Sequence, residues 1–226
     1  MICSSELTFA GMRVKICGIT TLDQGRAIAQ LGATDLGFIC VRQSPRYVTP
    51  QQIRAIAQDL SQNSTAPVGR VGVFADASVE EIGKIVAIAQ LTAVQLHGQE
   101  TPQFCQALRQ ALPSTELIKA FRVKTIDSLH QTQRYFSSVH TLLLDAYDPN
   151  RLGGTGHTLD WTGLKQFSPP IPWLLAGGLN PDNVATALRL AHPQGIDLSS
   201  GVERSPGIKD LDQVARLFAQ LKAVSP

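Results

Sequence analysis

The sequence predicts an α/β protein built as a (β/α)8 (TIM) barrel in a single domain, and three observations carry that expectation. Eight short apolar, β-branched runs alternate with eight segments of helical periodicity. The chain has 226 residues, within the roughly 200–250 over which such barrels close as one unit. No Ser/Pro/Gly-rich linker divides it. The alternative is an open, doubly wound sheet. Against it, the glycine-rich turn of dinucleotide-binding sheets is missing after the first strand.

In chain order, strands are expected near Arg13–Cys17, Asp35–Cys40, Val68–Phe74, Ala93–Leu96, Glu116–Phe121, Thr141–Asp145, Trp173–Ala176 and Gly195–Leu198. Helical segments are expected near Leu22–Leu31, Pro50–Leu60, Val79–Gln90, Pro102–Ala111, Ile126–Tyr135, Trp161–Gln166, Pro181–Leu190 and Leu211–Ala223. Thr49-Pro50, Thr101-Pro102 and Asn180-Pro181 each set a capping side chain before a proline suited to the first helical position. A strand followed by a helix, repeated, implies parallel pairing through right-handed crossovers. Closing eight such units into a barrel removes both sheet edges. Residues 1–11 show no periodicity and read as an extension; residues 12–226 form the barrel domain.

Composition narrows the function. Apolar residues make up 43% of the chain, charged residues 17%, and the formal net charge is +2. No Lys/Arg run or basic amphipathic helix is present, which argues against a nucleic-acid or membrane partner. Cys3, Cys17, Cys40 and Cys105 are widely spaced without a CxxC pair, which argues against a zinc site and a disulfide-stapled secreted domain. No apolar stretch approaches the ~18–20 residues of a membrane span, and the first eleven residues lack the pattern of a signal peptide. The cytoplasm is the expected compartment.

Barrel enzymes do their chemistry at the C-terminal ends of their strands, and those ends are unusual here. Cys17 closes the first strand just before Gly18, where a thiol can ionise and move a proton. Lys15 lies two residues earlier on the same face. It reads as a counter-charge to Asp145 or to the Cys17 thiolate rather than as a catalyst. Gln95 and His97 share a face at the end of strand four, and Asp145 ends the apolar run Leu142-Leu143-Leu144. Polar side chains in such strands are costly to bury unless they line a wet cavity or pair with one another. Lys15, Gln95, His97 and Asp145 are therefore expected to point into a solvated mouth. For His97 a hydrogen-bonded wall and a substrate contact are equally compatible with the sequence.

Two glycine-bearing turns follow the last two strands: Ala176-Gly177-Gly178-Leu179-Asn180-Pro181 and Ser199-Ser200-Gly201-Val202-Glu203. Exposed backbone N–H groups at those strand ends make a phosphate cradle, with Gly177, Gly178, Ser200 and Gly201 as its residues. Gly153-Gly154-Thr155-Gly156 lacks the Gly-Lys-Ser/Thr ending of a nucleotide loop and reads as a loop that folds over the mouth. Arg46, in Ser44-Pro45-Arg46-Tyr47, suits a carboxylate because its planar fork binds both oxygens.

Together these segments, with Gly37-Phe38, Val71-Gly72-Val73-Phe74 and Val94-Gln95-Leu96-His97-Gly98, resemble the phosphoribosylanthranilate isomerases of tryptophan biosynthesis from about Arg13 to the last helix. The resemblance implies an Amadori rearrangement of N-(5-phosphoribosyl)anthranilate, a small phosphosugar-anthranilate substrate, to 1-(2-carboxyphenylamino)-1-deoxyribulose 5-phosphate. It implies Cys17 as general base, Asp145 as general acid, Arg46 as partner of the anthranilate carboxylate and the two glycine loops as the phosphate site. Aldose-to-ketose chemistry of this kind needs one acid and one base of separated pKa, and calls for no metal or redox cofactor. Lys15 and nearby backbone dipoles would favour the thiolate, and partial burial would keep a proton on Asp145. The chain departs from the family pattern at Cys40, where an aromatic residue is usual, so the pocket wall near strand two is expected to differ. Cys17 and Cys40 would close neighbouring strands, at a spacing that permits a disulfide if Cys40 faces the right way. Indole-glycerol phosphate synthase, tryptophan synthase alpha-type lyases and a binding protein without turnover share the barrel and phosphate site. The Cys17/Asp145 pair disfavours all three. Oligomeric state is not legible.

Overall fold

The computed structural model describes residues 11–63, 66–123, 125–145 and 161–223. The N-terminal extension up to residue 10 and the Gly153-Gly154-Thr155-Gly156 loop lie outside the described residues. Eight parallel strands close a barrel: β1 (Arg13–Cys17), β2 (Asp35–Ile39), β3 (Gly69–Phe74), β4 (Ala93–Leu96), β5 (Glu116–Arg122), β6 (Thr141–Asp145), β7 (Trp173–Ala176) and β8 (Gly195–Leu198). Each pairs with its successor, and β1 pairs with β8, Lys15 opposite Asp197. The open-sheet alternative is thereby excluded.

Alternation along the strands sorts the side chains into two apolar clusters. Val71, Ala93, Ile118, Ala120, Leu143, Leu174 and Ala176 pack together in the lumen. Their strand neighbours, among them Val14, Ile16, Leu36, Val94, Leu96, Leu142, Leu144 and Leu175, face outward against the helices. Those helices are α1 (Leu22–Leu31), α2 (Pro50–Asn63), α3 (Val79–Ala89), α4 (Pro102–Ala111), α5 (Val184–Ala191) and α6 (Leu211–Ala223). In α2 the inward stripe is Ile53, Ile56, Ala57 and Leu60, the i, i+3, i+4, i+7 spacing that packs a helix on a sheet.

Two of the three proline starts hold. Thr49 and Gln52 cap α2 reciprocally, and the Thr101 hydroxyl accepts from Phe104 N at α4. The third does not: α5 begins at Val184, because the Asn180 side-chain oxygen accepts from Asp182 N and Asn183 N and builds a separate turn first. Segments Ile126–Tyr135 and Trp161–Gln166 are 3₁₀ rather than α. In the former, the Ser128 and Thr132 hydroxyls bond the carbonyls three residues back, Thr125 and Leu129, which favours the tighter winding. A short hairpin, β9 (Glu203–Ser205) with β10 (Ile208–Lys209), follows β8 and was not visible as a periodic pattern.

At the N-terminal rim Arg13 divides its guanidinium between Asp35 of β2, at 2.8 Å, and Glu116 of β5, at 2.6 Å. Thr34 and Thr141 donate to the same two carboxylates. That rim is an electrostatic seal; the open chemistry is at the other end.

Candidate active site

At the C-terminal ends of the strands a cavity of about 300 Å³ opens, walled by side chains from β1, β2, β3, β4, β6, β7 and β8. Cys17, Arg46, Gln95, His97, Asp145, Gly177, Gly178, Ser200 and Gly201 all line it. Nine of the ten candidate residues named from sequence therefore converge on one space.

Lys15 is the exception. Its side chain is fully buried and absent from the lining, because it lies one inward layer below Cys17. Its Nζ donates to Asp197 Oδ1 of β8 at 2.9 Å, so of the two expected partners Asp145 gives way to Asp197, while the Cys17 sulfur is within its influence as expected. The expectation of a solvated Lys15 fails for the same reason: a charge inside a packed barrel is tolerated when paired. Both the ammonium and the Cys17 sulfur reach over the bare Cα of Gly37, where an added methyl would lie 2.9 Å from Nζ and 2.7 Å from Sγ.

Burial pushes the Cys17 thiol up. Lys15 pulls it down, Asp197 pushes it further up, Lys209 pulls it down, and burial prevails. Lys15 does favour the thiolate, as expected from the sequence, but desolvation is larger and the net shift is upward. Across the cavity, Asp145 at the end of β6 places Oδ2 3.6 Å from His97 Nε2. On the other side of the imidazole, Gln95 Nε2 lies 3.3 Å from His97 Nδ1.

Arg46 already holds a carboxylate. Its Nε and Nη2 donate to Glu203, the latter at 2.6 Å, and Glu203 also accepts from Lys209 Nζ at 2.7 Å. Burial raises the Glu203 carboxyl, but the Arg46 and Lys209 hydrogen bonds outweigh it and hold the carboxyl below its usual range. Two cations on one carboxylate leave the cluster one positive charge in excess beside the cavity.

The two glycine turns meet. Gly177 and Gly178 have φ of +92° and +66°, left-handed values that glycine adopts without strain. A methyl on Gly201 would overlap the Leu179 carbonyl oxygen, so the second loop rests directly on the first. Ser200–Val202 winds as a single 3₁₀ turn, and together the loops offer backbone N–H groups to an anion.

The model of the N-(5'phosphoribosyl)anthranilate (PRA) isomerase family matches residues 14–220. The chain belongs to this family. N-(5'-phosphoribosyl)anthranilate isomerase of Rippkaea orientalis is 61% identical over 214 residues, 95% of this chain and 98% of that protein. The protein of the same name in Acaryochloris marina is 59% identical over 93% and 98%. Among solved structures, phosphoribosyl anthranilate isomerase from Thermotoga maritima superposes with a TM-score of 0.83 at 36% identity, covering 94% and 99% of the two chains. A phosphoribosyl anthranilate isomerase in complex with reduced 1-(o-carboxyphenylamino)-1-deoxyribulose 5-phosphate superposes with a TM-score of 0.80 at 34% identity, over 94% and 99%.

Membership of the phosphoribosylanthranilate isomerase family sets aside the lyase and synthase alternatives that share the barrel. Three residues of the site had no role in the sequence reading: Asp197, Glu203 and Lys209. Asp197 carried a usable signal, a carboxylate inside the apolar run Gly195–Leu198 at the same face parity as Lys15. Glu203 and Lys209 depend on the β9–β10 hairpin, whose two short arms gave no signal. The disulfide that the strand spacing left open is also set aside. Cys17 lies opposite Gly37, and Cys40 follows three residues later, about 10 Å further along the strand direction and beyond disulfide reach. Cys17 and Cys40 are both free thiols. Ile39, not Cys40, supplies the pocket wall, so the departure from the family pattern at position 40 falls outside the cavity lining.

Proposed function

We propose that this chain carries out the Amadori rearrangement of N-(5-phosphoribosyl)anthranilate to 1-(2-carboxyphenylamino)-1-deoxyribulose 5-phosphate, with Cys17 as base and Asp145 as acid. The observation that carries this reading is one cavity presenting a thiol from β1 and a carboxyl from β6, with paired glycine turns at its rim. The chain is an isomerase of tryptophan biosynthesis by family, and the substrate is a small phosphosugar bearing an aromatic carboxylate.

The phosphate rests on the Gly177-Gly178 and Ser200-Gly201 backbone, and the excess positive charge of the Arg46–Glu203–Lys209 cluster draws the anthranilate carboxylate. Asp145 gives its proton to the ring oxygen; the ring opens and the nitrogen lone pair forms an iminium at C1. That cation acidifies the C2 hydrogen, which Cys17 removes as a thiolate, giving a neutral enolamine; its C2 hydroxyl then gives up its proton as C1 takes one, leaving the ketone and the secondary amine. Because burial raises the Cys17 thiol, its thiolate is scarce but strongly basic, suited to a carbon acid. The two proton transfers that start and drive the sequence, to the ring oxygen and from C2, are carried by Asp145 and Cys17. No helix among the described residues is long and apolar enough to cross a membrane, and we place the enzyme in the cytoplasm on the pattern of its cysteines.

Freshly prepared phosphoribosylanthranilate, incubated with the protein and followed by chromatography of both sugars, tests the reading. Conversion in wild type, lost in both Cys17→Ala and Asp145→Asn, is the expected result. A wild-type protein that binds the substrate without converting it would sink the proposal in favour of a binding protein.

A further inference from the structure

Gln95 of β4 and His97, the residue after its end, both line the cavity. Gln95 is almost fully buried, at 2% exposure. One end of its amide engages His97 Nδ1 at 3.3 Å; its Oε1 has no hydrogen-bond partner among the described residues. A buried amide left half-unsatisfied is costly. Such a group persists where its fixed end orients something and its open end awaits a donor. His97 in turn directs Nε2 at Asp145 Oδ2, 3.6 Å away.

We propose that Gln95 and His97 are positioning residues for Asp145: Gln95 fixes His97 as its Nε2–H tautomer, and that N–H holds the carboxylate that Asp145 becomes. The reasoning rests on the tautomer chemistry of imidazole. An amide N–H pointed at Nδ1 requires Nδ1 to be the lone-pair nitrogen, which places the ring proton on Nε2. That proton faces the acid. Before reaction, the protonated carboxyl needs only a weak contact, and 3.6 Å is one. Once Asp145 has released its proton to the ring oxygen, a full negative charge develops 3.6 Å from a preoriented donor. A closure of a few tenths of an ångström makes a charge-assisted hydrogen bond. The interaction is stronger after proton transfer than before it, so it lowers the barrier rather than merely binding substrate. The alternative tautomer would set a lone pair against the forming carboxylate.

The inference rests on the acid role of Asp145 proposed above, and its test separates the two. Nitrogen-15 spectra of histidine-labelled protein report the tautomer of each imidazole without any turnover; His97 is assigned by the signal missing from His97→Gln. The expected result is the Nε2–H form in wild type, and a mixture of tautomers in Gln95→Met. A wild-type Nδ1–H form would overturn the proposal whatever Asp145 does. In assays, His97→Gln, whose amide nitrogen can occupy the Nε2 position, should keep kcat within about threefold of wild type. His97→Asn, whose amide nitrogen matches Nδ1, should lose roughly 10- to 100-fold in kcat. Equal kcat in the two variants would also overturn it, since a merely structural histidine gives no reason for that order. Thermal melts of both variants, expected to agree, exclude a difference in folding.

Discussion

Lys15 and Asp197 form a closed ion pair, Nζ to Oδ1 at 2.9 Å, directly beneath the thiol proposed as the base. The Lys15 side chain has no exposure and that of Asp197 is 9% exposed, so either charge left alone would be stranded in a dry interior. Asp197→Ala should therefore destabilise the barrel by about 3–5 kcal/mol. The paired replacement Lys15→Met with Asp197→Leu should recover most of that loss. Urea unfolding of the three proteins checks this; a double variant no more stable than the single would show the pair to be worth more than an apolar core.

Cys17→Ala should lower kcat by about 10²–10⁴-fold with KM near normal, because a base acts in the transition state and adds little to ground-state binding. Asp145→Asn should fall into the same range, since the amide keeps the shape but holds no transferable proton. A Cys17→Ala enzyme retaining a tenth of wild-type kcat would refute the base assignment.

Arg46→Ala should raise KM strongly and leave kcat less affected. The reason is now more specific than a free guanidinium meeting a substrate carboxylate. Removing Arg46 takes away one of the two cations on Glu203, and the cluster loses its excess positive charge. Glu203→Gln in the Arg46→Ala background should return part of the lost affinity, as it restores that excess. Steady-state KM values of the single and double variants decide it.

The thiols make the fold sensitive to alkali. Burial pushes Cys40 up to about 12 from an ordinary 9.0. The unfolded chain therefore releases this proton from about pH 9 while the folded chain keeps it. The stabilisation is complete below pH 9 and is lost as pH climbs towards 12, at up to about 1.4 kcal/mol per pH unit. Cys17 is raised in the same direction. Unfolding free energies at pH 8, 9.5 and 10.5 should fall in wild type and fall less steeply in Cys40→Ser. Parallel slopes in the two proteins would contradict it.

Gly201→Ala should damage the phosphate site without touching the acid or base. The new methyl would collide with the Leu179 carbonyl oxygen, and relieving it must separate the two turns. Overpacking of this kind costs about 1–3 kcal/mol. Inorganic phosphate, expected to compete with substrate in wild type, should compete far less well in the variant. Equal inhibition constants would place the phosphate elsewhere.

Most of the barrel could be read from the sequence because its strands are short, apolar and separated by helices with plain caps. Periodicity alone located all eight strands within one residue of their ends. Local competition limited the rest. Asn180 spends its side chain on a turn, so Pro181 does not open a helix, and the hydroxyls of Ser128 and Thr132 tighten a segment whose apolar spacing looked α-helical. In the site, residues at strand ends were legible because polar groups there are conspicuous. What stayed hidden was pairing across the barrel. Lys15 meets Asp197, 182 positions later, because β1 closes against β8, and only closure sets that register. Glu203 escaped because its role depends on a hairpin too short to announce itself.

Arg13 has a consequence for how the chain can be divided. Its guanidinium is shared between a carboxylate of the first four strands and one of the last four. A fragment ending after β4 would keep Arg13 and Asp35 but lose Glu116; the complementary fragment would hold Glu116 with Thr141 and no cation. Neither half could complete the Arg13 cluster, so the barrel should resist being cut into two autonomous half-barrels and should assemble from such pieces only when both are present. The arginine acts as a checkpoint for completeness: both of its carboxylate partners are within reach only once strands from both halves have come home.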